Sequence, residues 1–205
     1  MVNETIAIVL GYLLCSIHSA YIITRIVTGK DIRQLGSGNI GILNTYRAVG
    51  VKAGVAVTII DIGKGAAVIA IAHWLLGVPQ LFVVLAGLAA VIGHMWMVFL
   101  KFSGGRGMAT AIGALATTMS IYGYWYGFLI FLAIVVIPLI ITHNFALAMF
   151  IGLVLLPLII WMITHSGWAT ILSAILMVLI GAKFLPTAMA NWAKAKNIRD
   201  FIRNY

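Results

Sequence analysis

The chain has 205 residues, 63% of them hydrophobic and 8% charged, with mean hydropathy +1.14 and a formal net charge of +9 at pH 7. A soluble domain carries roughly a quarter charged residues, so this chain cannot cover a water-facing surface and lipid must be its main solvent. The same scarcity of polar residues excludes a soluble nucleic-acid-binding face; basic residues at the ends of membrane helices report topology and anionic headgroups instead.

About 20 apolar residues cross a bilayer as a helix. The first such run extends from about Ile6 to Val27. It lacks a basic leader and a small-residue cleavage site, so a retained helix is expected, not a cleaved signal. The single cysteine, Cys15, lies inside this run and forms no intrachain disulfide. A polar segment follows from Thr28 to Gly50. The second run, about Val51 to Leu76, is interrupted by Asp61 and Lys64, and the third, about Leu81 to Phe102, contains His94. After Ser103-Gly104-Gly105-Arg106-Gly107 comes a short apolar segment, Met108 to Met119. Gly123 to Ile141, Phe145 to Ile163 and about Trp168 to Met189 complete the pattern, before a tail bearing Lys194, Lys196, Arg199 and Arg203. The expectation is an all-α polytopic membrane protein of about seven helices, forming a single domain over residues 1–205.

Lysine and arginine placement sets the orientation. Lys30, Arg33, Arg47 and Lys52 fall in the first loop, Lys101 and Arg106 in the third, and the tail adds five cations counting Lys183. The opposite loops, around Pro79, Tyr122 and Ser166, carry neither residue type. The N-terminus is therefore expected outside and the C-terminus in the cytoplasm, provided the short fourth segment counts as a span.

Gly36-Ser37-Gly38-Asn39-Ile40-Gly41 is the first candidate for chemistry. Its glycines let successive backbone N–H groups turn toward one point, forming an anion nest. Asn44 adds a donor, and the Arg47 guanidinium matches a phosphate with paired hydrogen bonds. The plainer alternative is an ordinary turn after an interfacial helix. In the second candidate, Gly104, Gly105, Arg106 and Gly107 precede a helix, an arrangement that attracts anions; it also reads as a tight interhelical turn. It is not a Walker A loop, and neither is Asp61-Ile62-Gly63-Lys64-Gly65. Asp61 and Lys64 lie on one helix face at i, i+3 spacing, where ionisable groups are costly in a membrane. They either form an ion pair that fixes packing or touch substrate, and Lys64 has the further option of snorkelling to the surface. His94 reads as a hydrogen-bonded packing residue, with His18, His73 and His165 weaker still. No cluster of His, Cys and carboxylates suggests a metal, and no serine or cysteine has a base partner nearby in sequence.

The ordered segments YLLCSI, DIRQLGSGNIG with Asn44-x-x-Arg47, DIGKG, GHMWMVF and GGRGMAT resemble the PlsY family. These are bacterial acyl-phosphate-dependent glycerol-3-phosphate acyltransferases, and the resemblance covers most of the chain. It implies an enzyme of phospholipid synthesis in the bacterial plasma (inner) membrane, with its active site toward the cytoplasm. It would move a fatty acyl group from acyl phosphate to the 1-hydroxyl of glycerol 3-phosphate, giving lysophosphatidic acid and phosphate. Neither cofactor nor metal is implied. The expected partners are the two substrates and membrane lipid, not nucleic acid, and a monomer or weak oligomer is expected. Ser37, Gly38, Asn39, Gly41 and Asn44 would hold the acyl phosphate; Arg47, Arg106 and Asn197 would hold glycerol phosphate. Ser37, Asn44 and Arg47 are the expected catalytic set, supported by Asp61, Lys64, His94, Gly104, Gly105 and Gly107.

Four segments depart from the family pattern. Arg106 replaces the lysine of GGKG, and Met97 replaces a proline. His143-Asn144-Phe145-Ala146 stands where the family has an Arg-x-x-Ser segment, and Lys194-Ala195-Lys196-Asn197 where it has His-x-x-Asn. These changes fall on the acceptor side, leaving three readings: the same acceptor with altered contacts, another acceptor, or lost activity in a non-catalytic homologue. A transporter lined by Asp61, Lys64 and His94 is the further alternative, weakened by the lack of an inverted repeat.

Overall fold

A computed structural model of the protein describes residues 1–192. Among these there are helices and no strands. They are α1 (Val2–Cys15), α2 (Ser19–Thr28), α3 (Ile42–Ala48), α4 (Val51–Ala70), α5 (Gln80–Met95), α6 (Met108–Ile121), α7 (Trp125–Thr142), α8 (Phe145–Thr164) and α9 (Gly167–Trp192). Among the described residues, six segments are long and apolar enough to cross a membrane: Val2–Thr28, Val51–Leu75, Gln80–Leu100, Trp125–Thr142, Leu147–Thr164 and Gly167–Pro186. The seventh expected segment, α6, has 14 residues. At 1.5 Å per residue it is about 21 Å long, short of the roughly 30 Å hydrocarbon core. The expected polytopic helical architecture is thus present, with α6 as its short member.

The chain divides into two compact units, Met1–Thr118 and Met119 onward. In the first, small residues let helix backbones approach closely, which is how apolar helices gain packing energy where lipid removes the hydrophobic drive. A Cβ on Gly11 of α1 would lie 2.6 Å from the Ala86 carbonyl oxygen of α5, and one on Gly93 of α5 would strike the Tyr12 backbone. The pair α4–α6 repeats the device: a Cβ on Gly65 would collide with the Thr110 carbonyl, and one on Gly113 with that of Ile62.

The first apolar run is not one helix. It breaks at Ser16–His18, where His18 is extended (φ −99°, ψ 106°) before α2 begins. A break at bilayer depth frees carbonyls that no water can satisfy, and side chains supply the donors. The Ser16 hydroxyl donates to the carbonyl of Tyr12 (2.9 Å) and lies 3.3 Å from that of Gly93. The Lys64 ammonium donates to the carbonyl of Ile17 (3.3 Å).

The second unit consists of α7, α8 and α9. Tight turns join them: His143 (φ 53°) ends α7, and Asn144 caps α8 by accepting the Leu147 N–H at 2.9 Å. The exposed faces are apolar, with Ile130, Ile137, Ile140, Phe150, Leu158 and Trp161 turned outward, as a lipid environment requires.

Candidate active site

The loop between α2 and α3 is anchored by Ile32 and Ile40, which are buried with Ala20 and Val57. Asp31 accepts the Arg33 backbone N–H (2.9 Å) and its Nε–H (3.0 Å). This pairing with the guanidinium holds the Asp31 carboxyl below the usual carboxylate range.

Asn44, nine-tenths buried or more, closes the loop from beneath. Its Oδ1 accepts the Ser37 N–H at 2.9 Å, and its Nδ2 donates to the carbonyls of Leu35 and Asn39, each at 2.9 Å, with Ile32 more distant at 3.4 Å. Gly36 and Gly38 take left-handed conformations (φ 56° and 73°); a Cβ on Gly36 would also collide with Asn44 Oδ1. The Asn44 carboxamide is thus occupied in shaping the loop, and contact with a substrate is not its evident duty. Above it, the exposed Ser37 hydroxyl, the half-buried Asn39 carboxamide and the exposed Arg47 guanidinium have no side-chain partner among the described residues.

The loop from Ser103 to Gly107 packs onto the end of α5 so tightly that only glycine fits at 104 and 105. A Cβ on Gly104 would strike the His94 carbonyl, and one on Gly105 would strike the His94 ring and lie 2.7 Å from the Ile40 carbonyl oxygen. That last contact brings the two glycine-rich loops together. The Gly105 N–H points both to the His94 carbonyl and to His18 Nε2, each at 3.1 Å. Gly107 (φ 78°) turns the chain into α6, and Arg106 is half-buried between the two glycines. Met97, where the resemblance expects proline, has φ −74°, within the range proline imposes.

Beneath the loops lies a buried polar cluster. Asp61 Oδ1 accepts the Ser19 hydroxyl at 2.7 Å and pairs with Lys64 Nζ at 2.9 Å; His94 Nδ1 is 3.8 Å away. Thr110 Oγ1 meets His94 Nδ1 at 3.2 Å, and the His18 and His94 rings are 4.6 Å apart. Lys64 is buried and paired, so it does not snorkel. The ion-pair reading of Asp61 and Lys64 therefore fits the geometry, and no direct substrate contact is needed to explain them. His18, ranked weakly from sequence, belongs to this cluster, as do Ser19 and Thr110. The clue available was a run of polar residues, Ser16 to Ser19 with one isoleucine, inside an apolar span. No group of three or more metal-ligating side chains occurs among the described residues. Asn197 and the tail cations from Lys194 onward lie outside the described residues.

The chain is similar to known proteins. The family model for glycerol-3-phosphate acyltransferase matches residues 5–203. Glycerol-3-phosphate acyltransferase 1 of Dehalococcoides mccartyi is 45% identical over 196 residues, covering 96% of this chain and 94% of the relative. The glycerol-3-phosphate acyltransferase of Geotalea daltonii is 36% identical over 180 residues, covering 88% and 89%. Among solved structures, PlsY, an integral membrane glycerol 3-phosphate acyltransferase, matches in its glycerol 3-phosphate form with TM-score 0.80 and 28% identity, over 90% of this chain and 89% of that one. Its lysophosphatidic acid form matches with TM-score 0.72 over 88% and 87%.

Proposed function

The chain belongs to the glycerol-3-phosphate acyltransferase family, and from that premise we propose how its loops divide the reaction. The protein is a membrane acyltransferase acting on glycerol 3-phosphate, with an acyl phosphate as donor. The hydroxyl oxygen at the 1-position attacks the acyl carbonyl carbon. A new ester C–O bond forms, the bond from acyl carbon to phosphate oxygen breaks, and phosphate leaves with that electron pair. The hydroxyl proton passes to the departing phosphate. No protein nucleophile is needed because the donor is already activated; alignment and oxyanion stabilisation suffice.

Ser37, Asn39 and the loop backbone from Gly38 to Gly41 hold the donor phosphate, with Asn44 keeping that loop in shape. Arg47 and Arg106 supply the cations for glycerol phosphate, with Asn197 a further ligand. Asp61, Lys64 and His94 support the site from beneath. The single observation that carries the reading is the meeting of two glycine-rich loops, the Ile40 carbonyl against Gly105, in a chain of this family. The lysine and arginine distribution supports a cytoplasmic site in the bacterial plasma membrane.

The test is phosphate release from palmitoyl phosphate by the purified protein in lipid cubic phase, with and without glycerol 3-phosphate. Acceptor-dependent release is expected. Arg47→Ala should reduce it by about 100-fold without lowering thermal stability, since this exposed guanidinium has no partner among the described residues. Release that ignores the acceptor, in a folded sample, would refute the reaction; release indifferent to Arg47→Ala would remove that residue from the site.

A further inference from the structure

The acyl transfer set out above gives His18 no contact with substrate, yet its surroundings fix it with unusual care. Each neighbour in the break of the first span is held by a different distant group: Ser16 lies against the Gly93 carbonyl, the Ile17 carbonyl accepts from Lys64, and Ser19 donates to Asp61. A continuous helix would not need these bonds. Their combined effect is to present one buried imidazole to the backbone of the second glycine-rich loop.

We propose that His18 is a positioning residue for the acceptor side of the reaction: its neutral ring accepts the Gly105 N–H and thereby sets the loop that carries Arg106. This inference rests on the proposed acyl transfer only for which substrate the loop serves. An Nε2 that accepts has no proton, so Nδ1 carries the ring N–H. That Nδ1 is buried with no hydrogen-bond partner among the described residues, so the ring is held for the one bond it makes at Nε2. Asp61, Lys64, His94 and Thr110 then form the foundation beneath it, His94 adding its own carbonyl to the same N–H. The two loops are thus held by different side chains, the donor loop by Asn44 and the acceptor loop by His18.

Two substitutions separate this role from general packing. His18→Gln places an amide oxygen close to the position of Nε2, whereas His18→Asn places its amide near Nδ1, too short to reach Gly105. Asparagine is also a favoured residue at this helix N-cap position, so His18→Asn should fold. The readouts are hydrogen exchange of peptides spanning 103–107 in the full-length detergent-solubilised protein, and the two substrate KM values. In His18→Asn, exchange in this segment and the KM for glycerol 3-phosphate should each rise about tenfold, as expected for one lost hydrogen bond to a loop. The KM for palmitoyl phosphate and exchange at 36–41 should stay within about twofold, and His18→Gln should restore both changes. Equal behaviour of the two variants, a rise spread through α1 and α5, or an unshifted acceptor KM would overturn the proposal. Absence of acceptor-dependent release in the wild type would instead sink the acyl transfer, while the exchange comparison would still decide the role of His18.

Discussion

Replacing Asn44 tests whether the donor loop is held from within or only by its ligand. Asn44→Ala removes two donations and one acceptance, each at 2.9 Å. At about 1 kcal/mol net per neutral bond, the loop loses about 3 kcal/mol of its preference for the observed shape. The Leu35 and Asn39 carbonyls lie on a half-exposed loop and regain water, which keeps the figure near that sum and below the full cost of buried orphans. Since 1.4 kcal/mol is tenfold, a donor that requires the ordered loop should bind up to about 100-fold more weakly, the full factor applying where the wild-type loop is only marginally ordered. Asn44→Asp sharpens the test. Its shape is unchanged, yet a carboxylate oxygen would face two carbonyl oxygens where an NH2 now donates. The loss should equal or exceed that of alanine. The assay is phosphate release against palmitoyl phosphate concentration, paired with hydrogen exchange of residues 36–41 without substrate. A purely ligand-contacting amide would weaken donor binding but leave the free loop's exchange unchanged. That outcome, or an Asn44→Asp variant with wild-type donor KM, would refute the reasoning.

Other perturbations probe the scaffold. Removing one member of the buried pair, by Asp61→Asn or Lys64→Met, should destabilise the protein by about 3–5 kcal/mol because the remaining charge is left buried; thermal unfolding of the double variant should show less than the sum, and additivity would count against the pairing. Gly105→Ala drives a methyl into the His94 ring and toward the Ile40 carbonyl, so a cost of about 1–3 kcal/mol and loss of turnover are expected; an alanine variant of normal stability and rate would contradict the close approach of the loops. Asp31, whose pKa is lowered by its bonds to Arg33, contributes stability that is fully present above the ordinary carboxylate pKa of about 4 and is lost as pH falls through its lowered value. Asp31→Asn should abolish that acid-dependent loosening of the segment from Ile32 to Leu35, seen by hydrogen exchange; an unchanged acid response would exclude Asp31 as its source.

The membrane class, the long spans and the two glycine-rich loops were legible in the sequence because each is a local property of composition. The break in the first span was not. Ile6 to Val27 reads as one apolar run, and hydropathy does not register which carbonyls lose their partners. The donors that make the break tolerable come from Lys64, 47 residues away, and the acceptor for Ser16 lies 77 residues away at Gly93. Asn44 was legible as a loop residue, but its bonds to Ser37, Leu35 and Asn39 were not, because a polar residue beside glycines looks the same whether it binds a ligand or ties the loop.

The contrast between the two loops has the same origin. Asn44, which organises the first glycine-rich loop, binds partners 5 to 12 residues distant, so the whole device fits within one short segment and is a readable motif. The second glycine-rich loop takes its bond from His18, 87 residues away, and its steric limit from Ile40 and His94. A substitution there is buffered or exposed by residues that no local motif contains. Met97 is one case: where the resemblance expects proline, its φ of −74° lies within the range proline fixes, so the backbone needs no change there. Asn144 is a different case, its oxygen engaged as the cap of α8 where the resemblance expects an acceptor-contacting segment. Departures from a motif therefore weigh differently: a backbone-setting residue can be replaced wherever tertiary packing already dictates the backbone, whereas a ligand-contacting residue requires another group to reach the same ligand.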